Sequence, residues 1–242
     1  MEQKFSLPTP DSYYVHGVQN SQSNYSAKSV ILFVHGLSGN IYESHYFNAV
    51  PFFTSRGYDT IRFGWYSDEE KGRGLQDVTL QTVVDDLTLV IEHYSHQYEQ
   101  IFLVGHSFGC AALARAHQER VAKLVYWDPS AGMTSLEDKA ATYVPSLDKY
   151  LLDWGLTLLV SPQLVQDWQE ISNIPEELNK ITLPTKFIFA ENCEIYDKWK
   201  PHLGMFQDKI PFEVTSIPHA SHIFVEEGVQ EVLFTETLRW IN

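Results

Sequence analysis

The chain has 242 residues, a formal charge of −14 at pH 7 and a pI near 5.0. Hydrophobic residues make up 44% and charged residues 20%, which argues against disorder and for a sizeable buried core. The acidic balance argues against a surface for nucleic acid or anionic membranes, since either would need clustered Lys and Arg.

Other features bear on the compartment. Two cysteines, Cys110 and Cys193, are too few for a disulfide framework. The first residues, MEQKFSLPTP, lack the basic start and apolar run of a secretory signal. No stretch approaches the roughly 20 apolar residues that span a bilayer. We therefore expect a cytoplasmic protein with no membrane insertion.

Six short apolar runs alternate with helical patterns along the chain. The runs are near-continuous, which is typical of strands covered on both faces of a sheet. They are 29–36, 58–65, 101–107, 123–130, 185–192 and 212–219. This alternation predicts an α/β fold with a mostly parallel central sheet flanked by helices.

Three helices are predicted between and after these strands. Over 78–97, apolar residues recur at three- and four-residue spacing. The segment 109–117 is alanine-rich and directly follows the third predicted strand. A helical face close to the carboxyl terminus includes Val229 and Leu233, and Thr237 interrupts its apolar character.

The segment 132–183 breaks the alternation, because no strand is predicted in it. Its apolar residues instead fit a helical stripe, formed by Leu147, Tyr150, Leu151, Trp154 and Leu158. We interpret it as a small helical cap inserted into a single domain that spans residues 1–242. Such a cap would lie over the carboxyl ends of the strands, where open α/β sheets bind ligands.

The stretch Gly105-His106-Ser107-Phe108-Gly109 ends the third predicted strand. A Gly-x-Ser-x-Gly sequence between a strand and a helix is typical of a nucleophile elbow, in which small neighbours permit a strained turn. The sequence could also be a glycine turn with a capping serine. Its setting between an apolar strand and an alanine-rich helix favours Ser107 as a nucleophile.

A second turn follows the first predicted strand, in the sequence Val34-His35-Gly36-Leu37-Ser38-Gly39. Acyl transfer requires backbone N–H donors directed at the developing oxyanion. We expect the backbone N–H groups of Leu37 and Phe108 to form this oxyanion hole. Taken alone, the turn at 34–39 would be interpreted as an ordinary strand-to-helix connection.

A serine hydroxyl also needs a base, and histidine serves this purpose near neutral pH. The sequence IPHASHIF, 217–224, follows the last predicted strand and contains two candidates. We predict that His222 is the base, with His219 as its rival. His93 and His96, three residues apart near the end of the predicted 78–97 helix, are a weak metal motif without an evident third ligand, and a solvated helix end is the favoured interpretation.

Together these motifs resemble the α/β-hydrolase fold family from about Ser29 to the carboxyl terminus. The family's late Ile-Pro-Gly-Ala-Gly-His pattern falls on 217–222, which supports His222. The resemblance implies a triad acid after the penultimate strand, where Cys193 occupies the usual aspartate position. We favour Glu194 as the acid. Asp128 follows the preceding strand, as in some lipases of this fold, and Asp197 is a further alternative.

The sequence therefore predicts a serine hydrolase that acts on a small to medium carboxylic ester or thioester through an acyl-enzyme intermediate. It requires no cofactor and no metal. Trp154 of the predicted cap would contact the acyl group. Two alternatives remain open: a non-hydrolytic enzyme of the same fold, such as a lyase, or a ligand-binding protein with a weakened triad.

Overall fold

A computed structural model describes residues 1–22, 27–116, 119–137, 140–206 and 209–242. Within these residues, eight strands form one sheet. The strands are β1 (Glu2–Pro8), β2 (Tyr14–Asn20), β3 (Ser29–Val34), β4 (Tyr58–Gly64), β5 (Gln100–His106), β6 (Val121–Trp127), β10 (Thr185–Ala190) and β11 (Phe212–Ile217). Three further strands, numbered between β6 and β10, form a separate sheet.

The strand order across the large sheet is β1-β2-β4-β3-β5-β6-β10-β11. Strands β3 to β6, β10 and β11 are mutually parallel, whereas β1 and β2 are added antiparallel at one edge. The α/β class, the mostly parallel sheet and all six predicted strands are thus confirmed. Strands β1 and β2 were not predicted, because neither contains an apolar run: β1 is largely exposed, and the mostly buried β2 includes histidine, glycine, glutamine and asparagine.

Helices cover both faces of the sheet. They are α1 (Ser44–Thr54), α2 (Leu80–Tyr94), α3 (Cys110–Leu113), α4 (Pro162–Ile171), α5 (Ile174–Asn179), α6 (Ile195–Trp199) and α7 (Val229–Ile241). Alternate residues of β3 enter two separate cores: Leu32 packs with α2 and α3, while Phe33 packs with α1 and α7. This two-sided burial explains the near-continuous apolar strands.

The predicted helices α2 and α7 are present. Thr237 is fully buried in α7 without leaving a polar atom unpaired. Its hydroxyl donates to the Leu233 carbonyl at 2.8 Å and accepts from the Trp127 indole at 2.9 Å. Helix α3 is shorter than predicted, and His117 of the predicted segment lies outside the described residues.

The predicted helical stripe in 132–183 is wrong. This part of the insertion is an antiparallel sheet of β7 (Ala141–Val144), β8 (Lys149–Asp153) and β9 (Thr157–Val160). Its α-helices among the described residues are α4 and α5, which follow β9. Asp148 and Gly155, in the connections before and after β8, have φ angles of 49° and 81°. These left-handed turns break a helix, and the apolar spacing matched one only by coincidence.

No helix among the described residues has both the length and the apolar character needed to cross a membrane.

Candidate active site

The carboxyl ends of four adjacent strands bring the candidate residues together. Because β5, β6, β10 and β11 are neighbours and parallel, the loops that follow them meet at one edge of the sheet. Ser107 follows β5, Asp128 follows β6, Glu194 lies in the loop after β10, and His222 lies in the loop after β11. This topology therefore brings residues that lie more than a hundred positions apart in the sequence into one cluster.

Ser107 occupies a strained turn between β5 and α3. Its φ angle is 52°, in the left-handed region that L-residues rarely adopt. A Cβ atom at Gly109 would lie 2.4 Å from the His35 carbonyl oxygen, and one at Gly105 would lie 2.9 Å from the Cys110 Cα. Both glycines are therefore needed for the turn to pack against its neighbours, as the sequence pattern predicted.

A chain of two hydrogen bonds joins Ser107, His222 and Asp128. The Ser107 hydroxyl donates to Nε2 of His222 at 2.8 Å. The opposite nitrogen, Nδ1, donates to Oδ2 of Asp128 at 2.5 Å. With Nδ1 protonated, Nε2 carries the lone pair that faces the hydroxyl. A serine hydroxyl, an imidazole and a carboxylate are thus held in the order that activation of a nucleophile would require.

Asp128, and not the favoured Glu194, lies beside the imidazole of His222. Asp128, weighed as an alternative, is completely buried, and its second carboxylate oxygen accepts the Ala190 N–H at 3.1 Å. Glu194, the favoured candidate, is exposed at the cleft wall immediately before α6, and Asp197 is exposed within α6. Asp128 follows the strand next to β5 and already fills the position at Nδ1 of His222.

The environment of His222 favours its charged form. Burial of the ring opposes protonation, but the Asp128 carboxylate and the nearby Cys193 sulfur outweigh it and raise the pKa of His222 to about 9. The side chain is 34% exposed, so the ring remains accessible from the cleft. His219, the rival candidate, is exposed, and its backbone carbonyl accepts a hydrogen bond from Asn192 at 2.9 Å.

His106 holds the loop of His222 in place, a role that the sequence did not reveal. Its Nε2–H donates to the His222 carbonyl at 2.7 Å, and the two imidazole rings lie 4.8 Å apart between centroids. His106 is 3% exposed and immediately precedes Ser107. His106 therefore links the nucleophile elbow to the loop of His222. Its backbone continues into Ser107, and its side chain binds the His222 carbonyl.

The turn after β3 packs directly against the elbow. A Cβ atom at Gly36 would lie 3.0 Å from the Ser107 Cβ, so only glycine permits this approach. The next residue, Leu37, lines the same cleft as Ser107. Phe108 is buried in the first turn after the strand. Of the two predicted oxyanion donors, Phe108 thus follows Ser107 directly in the chain, and Leu37 lies in the turn after the neighbouring strand β3.

Ser107 and His222 lie in an open cleft of about 620 Å³. Trp154, in the β8–β9 connection, lines the cleft, although the insertion differs from the predicted helix. Its ring meets that of Trp168 edge to face at 5.5 Å, and Trp168 donates to the Ser130 hydroxyl at 3.0 Å. Trp168, which the sequence analysis did not single out, therefore fixes the aromatic wall beside the serine.

Two groups of side chains among the described residues have the composition of a metal site. Asp128, Cys193 and His222 form one, but two of its members already bind each other. Glu43, His45 and His106 form the other, on the buried side of the elbow. His93 and His96 both lie on the exposed surface near the end of α2.

Comparison with known proteins places this geometry in a family. The sequence profile described as the alpha/beta hydrolase family matches residues 31–232, which include the elbow and both of its partners. The chain belongs to the alpha/beta hydrolase family. No curated protein sequence matches this chain.

Several solved structures of this family share the fold over the whole chain. Est1E from Butyrivibrio proteoclasticus, solved with ferulic acid bound, has a TM-score of 0.78 at 17% identity and covers 98% of this chain and 99% of its own. Mouse alpha/beta hydrolase domain-containing protein 10 has a TM-score of 0.70 at 18% identity, covering 99% and 98%. Dienelactone hydrolase from Anabaena variabilis has a TM-score of 0.67 at 15% identity, covering 99% and 97%. At these identities the likeness concerns the fold.

Proposed function

We propose that this alpha/beta hydrolase is a serine hydrolase that cleaves a small to medium carboxylic ester or thioester. The observation that carries the proposal is the hydrogen-bonded chain from Ser107 through His222 to Asp128, at the floor of an open cleft. The small-molecule substrate and the cytoplasmic location both remain predictions.

The reaction follows from the roles that the contacts allow. Ser107 Oγ attacks the substrate carbonyl carbon while His222 Nε2 accepts the hydroxyl proton. The backbone N–H groups of Leu37 and Phe108 stabilise the resulting oxyanion. When the bond to the alcohol or thiol breaks, His222 returns the proton to the leaving group. Water, deprotonated by His222, then attacks the acyl-enzyme, releasing the acid and restoring the serine.

Asp128 orients the imidazole and stabilises its charged form during both steps. This contact argues against the ligand-binding alternative, which depended on a missing carboxylate at the position of Cys193. The non-hydrolytic alternative uses the same serine and histidine, so substrate tests must separate it from hydrolysis. A screen of p-nitrophenyl and thioester acyl chains should show hydrolysis by the wild-type enzyme and none above background by Ser107→Ala.

The rate should depend on pH through the protonation state of His222. Only a neutral imidazole accepts the serine proton, and the folded-state pKa of His222 is raised to about 9. We therefore expect kcat/KM to rise with pH and to reach half its maximum near pH 9. An initial-rate profile from pH 6 to 10.5 with one ester checks this. A profile already flat above pH 7 would contradict the raised pKa.

Trp154 should influence the choice of acyl chain. It is 37% exposed and lines the cleft beside Ser107, so an acyl group can cover its ring. Each buried methylene contributes about 0.8 kcal/mol, or roughly a fourfold gain in kcat/KM. We expect kcat/KM to rise from acetyl to medium chains and then fall, and Trp154→Ala to shift or flatten that optimum.

Leu156 is a matched control, because it is exposed in the same β8–β9 connection and does not line the cleft. Leu156→Ala should keep the wild-type chain-length series. A series that declines steadily from acetyl, and that Trp154→Ala leaves unchanged, would show that this wall does not form the acyl pocket.

A further inference from the structure

Three side chains converge on the buried side of the nucleophile elbow. Glu43 directly precedes α1, His45 lies in its first turn, and His106 ends β5. One ligand atom from each of the three side chains lies within 4.8 Å of the other two. Oε2 of Glu43 is 4.0 Å from Nε2 of His45. None of the three takes part in the proposed proton transfer.

The three convergent atoms are buried and have no hydrogen-bond partner. They are Oε2 of Glu43, Nε2 of His45 and Nδ1 of His106. The His45 and His106 side chains are 1% and 3% exposed. A buried polar atom without a partner costs about 1–3 kcal/mol, so three such atoms at one point require an explanation.

The hydrogen bonds that the His45 and His106 rings make outside this group fix the positions of their protons. Nε2 of His106 donates to the His222 carbonyl, so Nδ1 of this neutral ring carries a lone pair. His45 binds the Ile223 carbonyl, and because its Nε2 has no partner, Nδ1 is the donor. Each ring thus uses one proton in this contact, and its other nitrogen has no partner to which it could donate among the described residues.

Burial raises the pKa of Glu43. When its carboxyl group is ionised, none of these three unpaired atoms has a proton to share with the other two. A water molecule has only two protons and leaves one acceptor unpaired, unless Glu43 is itself protonated. A cation satisfies all three. We propose that Glu43, His45 and His106 bind a divalent transition-metal ion of the zinc class, for which two neutral imidazoles and one carboxylate are suitable ligands.

The geometry requires little adjustment. Ligands about 2.1 Å from a tetrahedral ion lie about 3.4 Å from one another, so the side chains would close by roughly an ångström. The carbonyls that accept from His45 and His106 supply the outer hydrogen bonds typical of metal-bound imidazoles. Glu43 also lines the cleft, which gives an ion a route from solvent.

The proposed ion is structural. It would join the start of α1 to the strand before Ser107, and through His106 and His45 to the carbonyls of His222 and Ile223 in the loop of the base. It would take no part in the proposed proton transfer between Ser107 and His222. Its presence is therefore measurable without activity and does not depend on the proposed function.

Metal analysis of the full-length protein tests the proposal. Protein produced with zinc and freed of loosely bound metal should contain about one zinc per chain, and chelation should lower its melting temperature. Replacement by Co²⁺ should give visible absorption bands of a low-coordinate site with nitrogen ligands. Glu43→Gln and His45→Ala should each lose the stoichiometric zinc, and Glu43→Gln, which preserves shape, guards against a folding defect in His45→Ala.

Two control variants locate the ion. Cys193→Ala removes a member of the other candidate group, and His93→Ala disrupts the exposed pair on α2; both should keep one zinc. Zinc lost in either control, or retained in Glu43→Gln, would place it elsewhere and overturn the proposal. Protein that takes up neither Zn²⁺ nor Co²⁺ would show that water and a protonated Glu43 fill the site.

Discussion

Replacing His222 with alanine is expected to lower kcat/KM for an ester substrate by on the order of 10⁵-fold. The variant removes the only side chain that contacts Ser107 Oγ among the hydrogen bonds of the described residues, so the hydroxyl has no proton acceptor. Catalysis that remains would come from the oxyanion donors and from substrate binding. Steady-state kinetics with a p-nitrophenyl ester measures this loss.

His219→Ala is the matched control, because His219 lies in the same loop and is exposed. Its side chain should be replaceable with less than about a threefold change in rate, as for an ordinary surface residue. Equal losses in both variants would mean that the loop, and not the imidazole of His222, limits activity. A large loss in His219→Ala alone would assign the base to the rival residue.

Asp128→Asn should lower kcat by roughly 10⁴-fold while the protein stays folded. The amide keeps the shape of the carboxylate but carries no charge, so it neither holds the proton on Nδ1 nor stabilises the imidazolium. The pKa of His222 should fall, because Asp128 is a main cause of its elevation. The rate and its pH midpoint therefore change together, which a packing defect alone would not produce.

Glu194→Gln is the comparison that separates the two carboxylates. Glu194 is exposed on the cleft wall. Nδ1 of His222, the atom that the triad acid would contact, already binds Asp128. The glutamine variant should retain activity within about threefold. If Glu194→Gln costs more than Asp128→Asn, the acid is the one first favoured from the sequence, and the loop after β10 must rearrange in solution.

The sequence was sufficient for the six parallel strands of the large sheet, and for Ser107 and His222, which the structure holds within hydrogen-bond distance. Strands buried on both faces leave near-continuous apolar runs, and a tight turn at Ser107 leaves its glycines in a fixed pattern. The α/β class and the family were predictable for this reason. The position of His222 beside Ser107 depended on chain order and on the family pattern around 217–222.

The acid could not be chosen from the sequence because three carboxylates follow strands that end at the same edge of the sheet. The choice depends on which side chain is buried against the imidazole, and this is a property of the packed loops. Asp128 carries one sequence signal, an Asp-Pro pair after a strand, but the same pair also occurs in plain turns.

The insertion was misread for a different reason. Tyr150, Leu151 and Trp154 recur at helical spacing, yet they belong to short antiparallel strands and their turns. The left-handed turns at Asp148 and Gly155 decide the structure, and their effect outweighs the apolar spacing. The cluster of the half-buried Glu43 with the buried His45 and His106 left no signal of comparable strength in the sequence, because it forms only when α1 packs against the end of β5.

Covalent labelling with a fluorophosphonate tests the central claim, that Ser107 is an activated nucleophile, most directly. Only a serine whose proton is removed by a neighbouring base reacts rapidly with this probe. Intact-mass analysis of the folded protein should show one added label, and peptide mapping should place it on Ser107. Ser107→Ala should stay unlabelled. Folded wild-type protein that remains unlabelled, or a label that persists in Ser107→Ala, would contradict the account.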